Sequence, residues 1–190
     1  MLRRLLPVLA LMFAAAAPAA NPEVEMKTSL GSVTIELYPG KAPNTVDNFL
    51  QYVRSGFYDG TIFHRVIDGF MIQGGGYTAD YTLKPTRDPI ENEAANGLKN
   101  RAGTIAMART RAPHSASAQF FINVANNDFL DYRGSTPQGF GYCVFGRVTS
   151  GMDVVRRISK LQTGRGGPFV QDVPQQAVVI EAIRVIGAEP

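Results

Sequence analysis

A single arginine stands inside an apolar run, Phe63-His64-Arg65-Val66-Ile67. A cation in a half-buried strand is costly unless a partner or a task keeps it there. At the two-residue period of a strand, Phe63, Arg65 and Ile67 share one face and Ile62, His64 and Val66 the other. Met71 and Gln73 fall together in the next run. Further on, Gln119, Phe121 and Asn123 oppose the apolar set Phe120, Ile122 and Val124. A surface of one arginine, two glutamines, Met71 and Phe121 offers no general base for hydrolysis. It suits the binding of an apolar, uncharged group beside a polarisable amide. Spacing alone equally allows an ordinary ion pair between Arg65 and a carboxylate such as Asp68 or Glu91.

Other chemistries find less support. His64 and His114 are the only histidines, no Cys/His cluster exists, and the carboxylates lack ligand spacing, so neither a metal nor a cofactor is expected. Gly74-Gly75-Gly76 lacks the Lys-Ser/Thr and helix of a phosphate loop and reads as a turn. Ser115 and Ser117 lie near His114 without a nucleophile elbow or a third member. The lone Cys143 cannot form an internal disulfide, and its neighbours Tyr142, Val144 and Phe145 suggest a buried strand thiol.

These side chains need a scaffold of short strands. Val24 to Tyr38 alternates around Ser29-Leu30-Gly31-Ser32 and reads as a hairpin. Val46, Phe49, Leu50 and Val53 recur at helical spacing between Pro43 and Arg54, with Pro43 in a first turn and Gly56 just past the end. Strand-like runs follow at Ile62–Ile67, Phe70–Gln73, Thr104–Ala108, Phe120–Val124, Val144–Val148 and Val178–Ile186, with a short helix from Met152 to Ile158. Many short strands, two helices and no strand–helix rhythm predict an antiparallel barrel or sandwich whose open ends the helices could plug. Tyr77 to Asn100 is long and polar, with Pro85, Pro89 and Gly97, and reads as an ordered surface loop.

The chain of 190 residues, 45% hydrophobic and 18% charged, suits one domain. Arg3 and Arg4 precede an apolar run from Leu5 to Ala17 and the small residues Ala17-Pro18-Ala19-Ala20, the layout of a secretory signal peptide over residues 1–20. The run is short for a membrane span and interrupted by Pro7 and Pro18, so no membrane anchor is expected after cleavage. A single domain over 21–190, soluble, periplasmic or secreted, is the expectation. Without Arg3 and Arg4 the chain has 17 Lys+Arg against 16 Asp+Glu, a formal charge of +1, and nucleic acid is not expected as a partner.

The ordered motifs Phe63-His64-Arg65-Val66-Ile67, Phe70-Met71-Ile72-Gln73-Gly74-Gly75, Met107-Ala108, Gln119-Phe120-Phe121-Ile122 and Val144-Phe145-Gly146 resemble those of the cyclophilin family of peptidyl-prolyl isomerases from about Glu23 to Ile186. Phe121-Ile122-Asn123-Val124, Asn127-Asp128-Phe129-Leu130-Asp131 and Gly141-Tyr142 are similar to the exported bacterial type. The resemblance implies a mainly β fold, a closed eight-stranded antiparallel barrel capped by two helices. It implies that Arg65 is the central catalytic residue, that Gln73 holds Arg65 and the substrate, and that Phe70, Met71, Phe121 and Leu130 take the proline ring. Gln119, Ala108 and Arg109 are implied to line the groove for the residues before proline.

Phe129 and Tyr142 stand where eukaryotic cytosolic relatives carry a tryptophan and a histidine, which implies weak inhibition by cyclosporin. The implied activity is cofactor-free isomerisation of X-Pro bonds in unfolded or partly folded exported polypeptides, by a monomer. Two alternatives use the same scaffold: a chaperone that holds proline segments without turnover, and an interaction protein whose contact surface is the 77–100 loop.

Overall fold

A computed structural model of the protein describes residues 20–186; the signal-peptide assignment falls on residues 1–20 and so, Ala20 apart, lies outside them. β1 (Glu23–Thr28) and β2 (Gly31–Leu37) form the opening hairpin, in register from Glu23↔Glu36 to Thr28↔Gly31. Their alternate residues Val24, Met26, Val33, Ile35 and Leu37 are buried, which is the pattern of a strand pair with one wet face.

Helix α1 (Pro43–Arg54) buries Val46, Phe49, Leu50 and Val53, and the chain leaves it through Gly56 at φ +66°. No side chain of its own caps its first turn. Glu93 does so from the 77–100 loop, accepting the Asn44 and Thr45 amides at 3.1 and 2.8 Å and the Thr45 hydroxyl at 2.7 Å. A carboxylate there satisfies free N–H groups and meets the positive end of the helix dipole. That loop is ordered, with bridges Tyr77↔Leu83 and Ile90↔Ala116 and a single 3₁₀ turn at Ala94–Asn96.

β3 (Thr61–Ile67), β4 (Met71–Thr78), β5 (Thr104–Met107), β6 (Phe120–Asn123) and β7 (Val144–Ser150) follow, then α2 (Met152–Ser159). Next come β8 (Thr163–Gly166), β9 (Phe169–Pro174) and β10 (Val179–Ile186). Eight strands close a barrel in the order β1-β10-β3-β4-β6-β5-β7-β2, every pair antiparallel. α1 packs on β10 and α2 on β2, β3 and β4. Aromatic rings fill the interior: Phe49 meets Phe145 at 5.2 Å and Phe120 edge-on at 5.9 Å, and Phe120 meets Phe63 at 6.3 Å.

Three details depart from the sequence reading. Gly74-Gly75-Gly76 is strand, not turn, because neighbours crowd it. A Cβ on Gly74 would lie 2.9 Å from the Ile62 carbonyl oxygen, and one on Gly75, at φ +80°, 2.7 Å from the Phe120 ring. The alternation of β3 also breaks. Phe63 faces Gly74 while Arg65 faces Gln73, so His64 is an extra residue, and Phe63 enters the main core with Val66 instead of sharing the face of Arg65. Finally, β8 and β9 form a two-stranded hairpin that lies against β3 outside the barrel ladder.

Candidate active site

Where β3, β4 and β6 run side by side, the pairings Arg65↔Gln73 and Gln73↔Phe121 set three side chains in a row across the sheet. Met71, Ala106, Phe121 and Val144 form a second apolar cluster, separate from the main core. Ile67, Phe70, Leu98, Ala108, Leu130 and Tyr142 pack against it. Above this floor is a cavity of about 110 Å³ lined by Arg65, Phe70, Met71, Gln73, Ala108, Arg109, Phe121, Leu130 and Tyr142. The structure thus brings together nine of the eleven side chains singled out in the sequence.

The other two sit beside the cavity. Gln119 accepts a hydrogen bond from Gln73 Nε2 at 3.1 Å. Phe129 stacks on Phe70, ring centroids 5.5 Å apart and planes 29° apart, and remains 59% exposed. Phe121 meets Tyr142 edge-on at 5.7 Å, and the Arg109 guanidinium lies 4.6 Å over the Tyr142 ring. Arg109 donates through Nε to the Gly141 carbonyl at 2.8 Å and through Nη1 to the Thr110 carbonyl at 3.0 Å, so it fastens the strand end to the 137–142 loop.

Phe70 and Leu130 lie on turns, and a buried amide network steadies both. Asn127 Nδ2 donates to the Phe70 carbonyl at 3.0 Å and to Asn123 Oδ1 at 2.7 Å, and Asn123 donates to Asn100 Oδ1 at 3.2 Å. The Asn100 side chain in turn donates to the Leu130 carbonyl at 3.2 Å, and the Asn100 backbone N–H donates to Asp131 Oδ1 at 2.8 Å. Asn123, placed by its period with Gln119 and Phe121, is therefore a fully buried support and no part of the cavity wall. Satisfied networks of this kind fix one geometry. Asn127 and Asp131 enter the sequence reading only as members of a motif and Asn100 only as a loop limit; the supporting role of all three is visible only in the structure. The asparagine pair Asn126-Asn127 directly before the Asp128–Leu130 turn is the available signal.

Arg65 has a carboxylate partner, but not the ones spacing suggested. Its Nε lies 3.6 Å from Asp172 Oδ2 on β9, while Asp68 pairs with Lys160 at 2.8 Å and Glu91 is exposed. The neighbouring His64 is buried under Tyr77 and Phe169, which stacks on it at 5.3 Å. Burial pulls its pKa down to about 4, with a backbone hydrogen bond to Ile62 opposing and the Arg65 charge adding to the fall, so the ring is neutral at pH 7. Cys143 is buried, and desolvation pushes its thiol up to about 11, which leaves it protonated and a poor nucleophile. Among the described residues no three His, Cys, Asp or Glu side chains gather in a way that could hold a metal ion.

Residues 23–185 match the family described as cyclophilin type peptidyl-prolyl cis-trans isomerase/CLD. The chain is 58% identical over 162 residues to peptidyl-prolyl cis-trans isomerase B of Escherichia coli, covering 85% of this chain and 98% of that one. It is 59% identical over 164 residues to a peptidyl-prolyl cis-trans isomerase of Streptomyces antibioticus, covering 86% and 98%. The fold is similar to that of a crystal structure of a Cryptosporidium parvum cyclophilin, with a TM-score of 0.71 at 24% identity over 89% of this chain and 99% of that one. A cyclophilin scaffold, an arginine beside an apolar cavity and relatives of this identity lead to one conclusion: the chain belongs to the cyclophilin-type peptidyl-prolyl cis-trans isomerases.

Proposed function

We propose that the enzyme seats a proline ring in the cavity walled by Phe70, Met71, Phe121 and Leu130 and turns the preceding peptide bond under the guanidinium of Arg65. The carrying observation is that Arg65 lines the same cavity of about 110 Å³ as those four apolar side chains. Rotation about a peptide bond faces a barrier of ~18–20 kcal/mol, because the nitrogen lone pair is delocalised into the carbonyl, and free X-Pro bonds exchange in roughly tens to hundreds of seconds. In the twisted state that lone pair localises on nitrogen. A guanidinium aimed at it stabilises the twisted state more than either planar isomer, which is the condition for catalysis. The apolar walls hold the ring still while the carbonyl side swings. A barrier lower by ~7–8 kcal/mol corresponds to an acceleration of roughly 10⁵ to 10⁶.

Gln73, beside Arg65 in the ladder and bonded to Gln119, is assigned the orientation of the substrate amide. Ala108, Arg109, Gln119, Phe129 and Tyr142 are assigned to the groove for residues flanking the proline. The enzyme works as a monomer without a cofactor, on polypeptides exported across the membrane. The basic, apolar and small-residue order of residues 1–20 supports the exported setting. No described helix is long and apolar enough to cross a membrane. N-terminal sequencing of chain recovered from the periplasm tests this, with a new start at Asn21 or Ala20 expected.

The activity assignment is tested by NMR exchange on an Ala-Pro peptide, comparing wild type with Arg65→Ala. Fast exchange with wild type and loss of about 10²- to 10³-fold in the variant are expected. Peptide binding without faster exchange would instead favour a proline-holding chaperone.

A further inference from the structure

We infer that Asp172 is a positioning residue for Arg65, and that the β8–β9 hairpin exists in this chain to deliver it. The inference rests on the role proposed above for Arg65. Its grounds are the ion pair, the backbone at Asp172 and the way the hairpin is held.

Asp172 Oδ2 lies 3.6 Å from Arg65 Nε, and the Asp172 side chain is only 22% exposed. Engagement at Nε leaves the two terminal amino groups of the guanidinium without a protein hydrogen-bond partner among the described residues. They are the donors free to meet a substrate. A long side chain that is 44% exposed would otherwise sample many rotamers, and ordering it beforehand removes that cost from the catalytic step.

The backbone at Asp172 is unusual. Its φ is +65°, and Tyr81 is the only other residue besides glycine with positive φ among the described residues. Residues other than glycine seldom take this region, and aspartate tolerates it better than most, so the conformation of Asp172 is one that the surrounding hairpin selects. The hairpin register shows how. Gly164 pairs with Val173 and Gly166 with Phe169, so Arg165 alone faces the three residues Val170, Gln171 and Asp172, and β9 bows out at this point.

Both ends of the bow are pinned. Val173 is buried, and Phe169 stacks on His64, the residue next to Arg65 on β3. Tyr81 covers the other side: a Cβ on Gly166 or Gly167 would come within 2.6 and 2.3 Å of it. The two residues with unfavourable φ therefore belong to one assembly, whose polar product is a carboxylate beside Arg65.

The experiment is NMR exchange on the uncharged Ala-Pro peptide with Asp172→Asn and Asp172→Gly, each made in wild type and in Arg65→Ala, together with thermal unfolding. Asparagine keeps the shape and tolerates positive φ but loses the charge. Glycine loses the charge and adopts φ +65° freely. The expected result is a fall in kcat of about 5- to 20-fold in both variants with KM changed less than about twofold. Tm should stay level or rise in Asp172→Gly, and neither variant should lower the residual rate of Arg65→Ala. A purely structural role would instead move Tm with activity and would persist without Arg65. Full kcat in Asp172→Asn and Asp172→Gly beside an inactive Arg65→Ala overturns the positioning role alone. Normal exchange by Arg65→Ala overturns the Arg65 assignment and this inference together.

Discussion

Gln73 reaches Gln119 at 3.1 Å because Gly76 has no side chain. A Cβ on Gly76 would lie 2.5 Å from Gln119 Cγ and 2.7 Å from its Cδ, so almost any other residue there would drive Gln119 out of its place. The glycine run that reads as a turn is thus part of the site's architecture, two residues beyond the crowded Gly74.

Gly76→Ala is expected to lower turnover of an Ala-Pro peptide by about 5- to 50-fold as Gln119 is displaced. Urea unfolding should show a cost of ~1–3 kcal/mol from overpacking. Gln119→Ala separates the two effects, with the turnover loss reproduced and the stability nearly that of wild type. Full turnover in Gly76→Ala would mean that the position of Gln119 is immaterial.

The exposed Phe129 ring, stacked on Phe70, offers no N–H at the cavity rim. Isothermal titration with cyclosporin is expected to show weak binding to wild type. Phe129→Trp restores an indole donor and should tighten binding about 5- to 100-fold, equivalent to ~1–3 kcal/mol. Nanomolar binding to wild type would refute the expectation.

Glu93 is the cap that α1 lacks in its own sequence. Glu93→Ala leaves the first-turn amides without that acceptor and should cost ~1–2 kcal/mol. In a domain of this size the loss corresponds to a Tm lower by about 2–8 °C in a calorimetric scan. Glu93→Gln, which keeps an acceptor without the charge, should fall between the two. An unchanged Tm in Glu93→Ala would show that solvent caps the helix equally well.

His64 makes stability depend on pH. Its folded pKa of about 4 lies below the ordinary 6.5, so between these values the unfolded chain binds the proton and the folded chain does not. The contribution is whole above about pH 6.5 and is lost as pH falls toward about 4, on the order of 3 kcal/mol in all. Urea midpoints from pH 7 to pH 4 should fall accordingly, and His64→Leu should remove that part of the slope. An equal slope in the variant would place the titration elsewhere.

Much of this fold is legible in the residue pattern because hydrophobic period and local chemistry agree. Pro43, the spacing of Val46, Phe49, Leu50 and Val53, and Gly56 give α1 its observed limits, and the opening hairpin alternates as its buried face requires. The hairpin Thr163–Pro174 is not legible, since Thr-Gly-Arg-Gly-Gly-Pro has no apolar alternation and its stability comes from distant partners such as His64 and Tyr81. For the same reason the partner of Arg65 could not be found by spacing: Asp172 arrives through tertiary packing. The bulge at His64 is likewise set by crowding around Gly74 and Phe63, which no local rule registers. Strand period groups Arg65, Met71, Gln73 and Phe121, and motif resemblance supplies the other cavity residues, whereas Asn100 and Asn127 beneath them have no apolar period to announce them.

The closure of the eight strands bears on the company this enzyme keeps. A sheet with an open edge offers a row of unpaired N–H and C=O groups on which an extended chain can dock and extend the ladder. A protein that handles proline-containing polypeptides meets such chains constantly. Here the ladder returns on itself through β1–β2, and its shortest seam is Val179↔Ile62 and Ile180↔Thr61 between β10 and β3. The β8–β9 hairpin lies against β3, one of the two strands of that seam. The barrel thus gives a passing strand little to adhere to, which leaves the proline cavity and groove proposed above as the place for a substrate to be held.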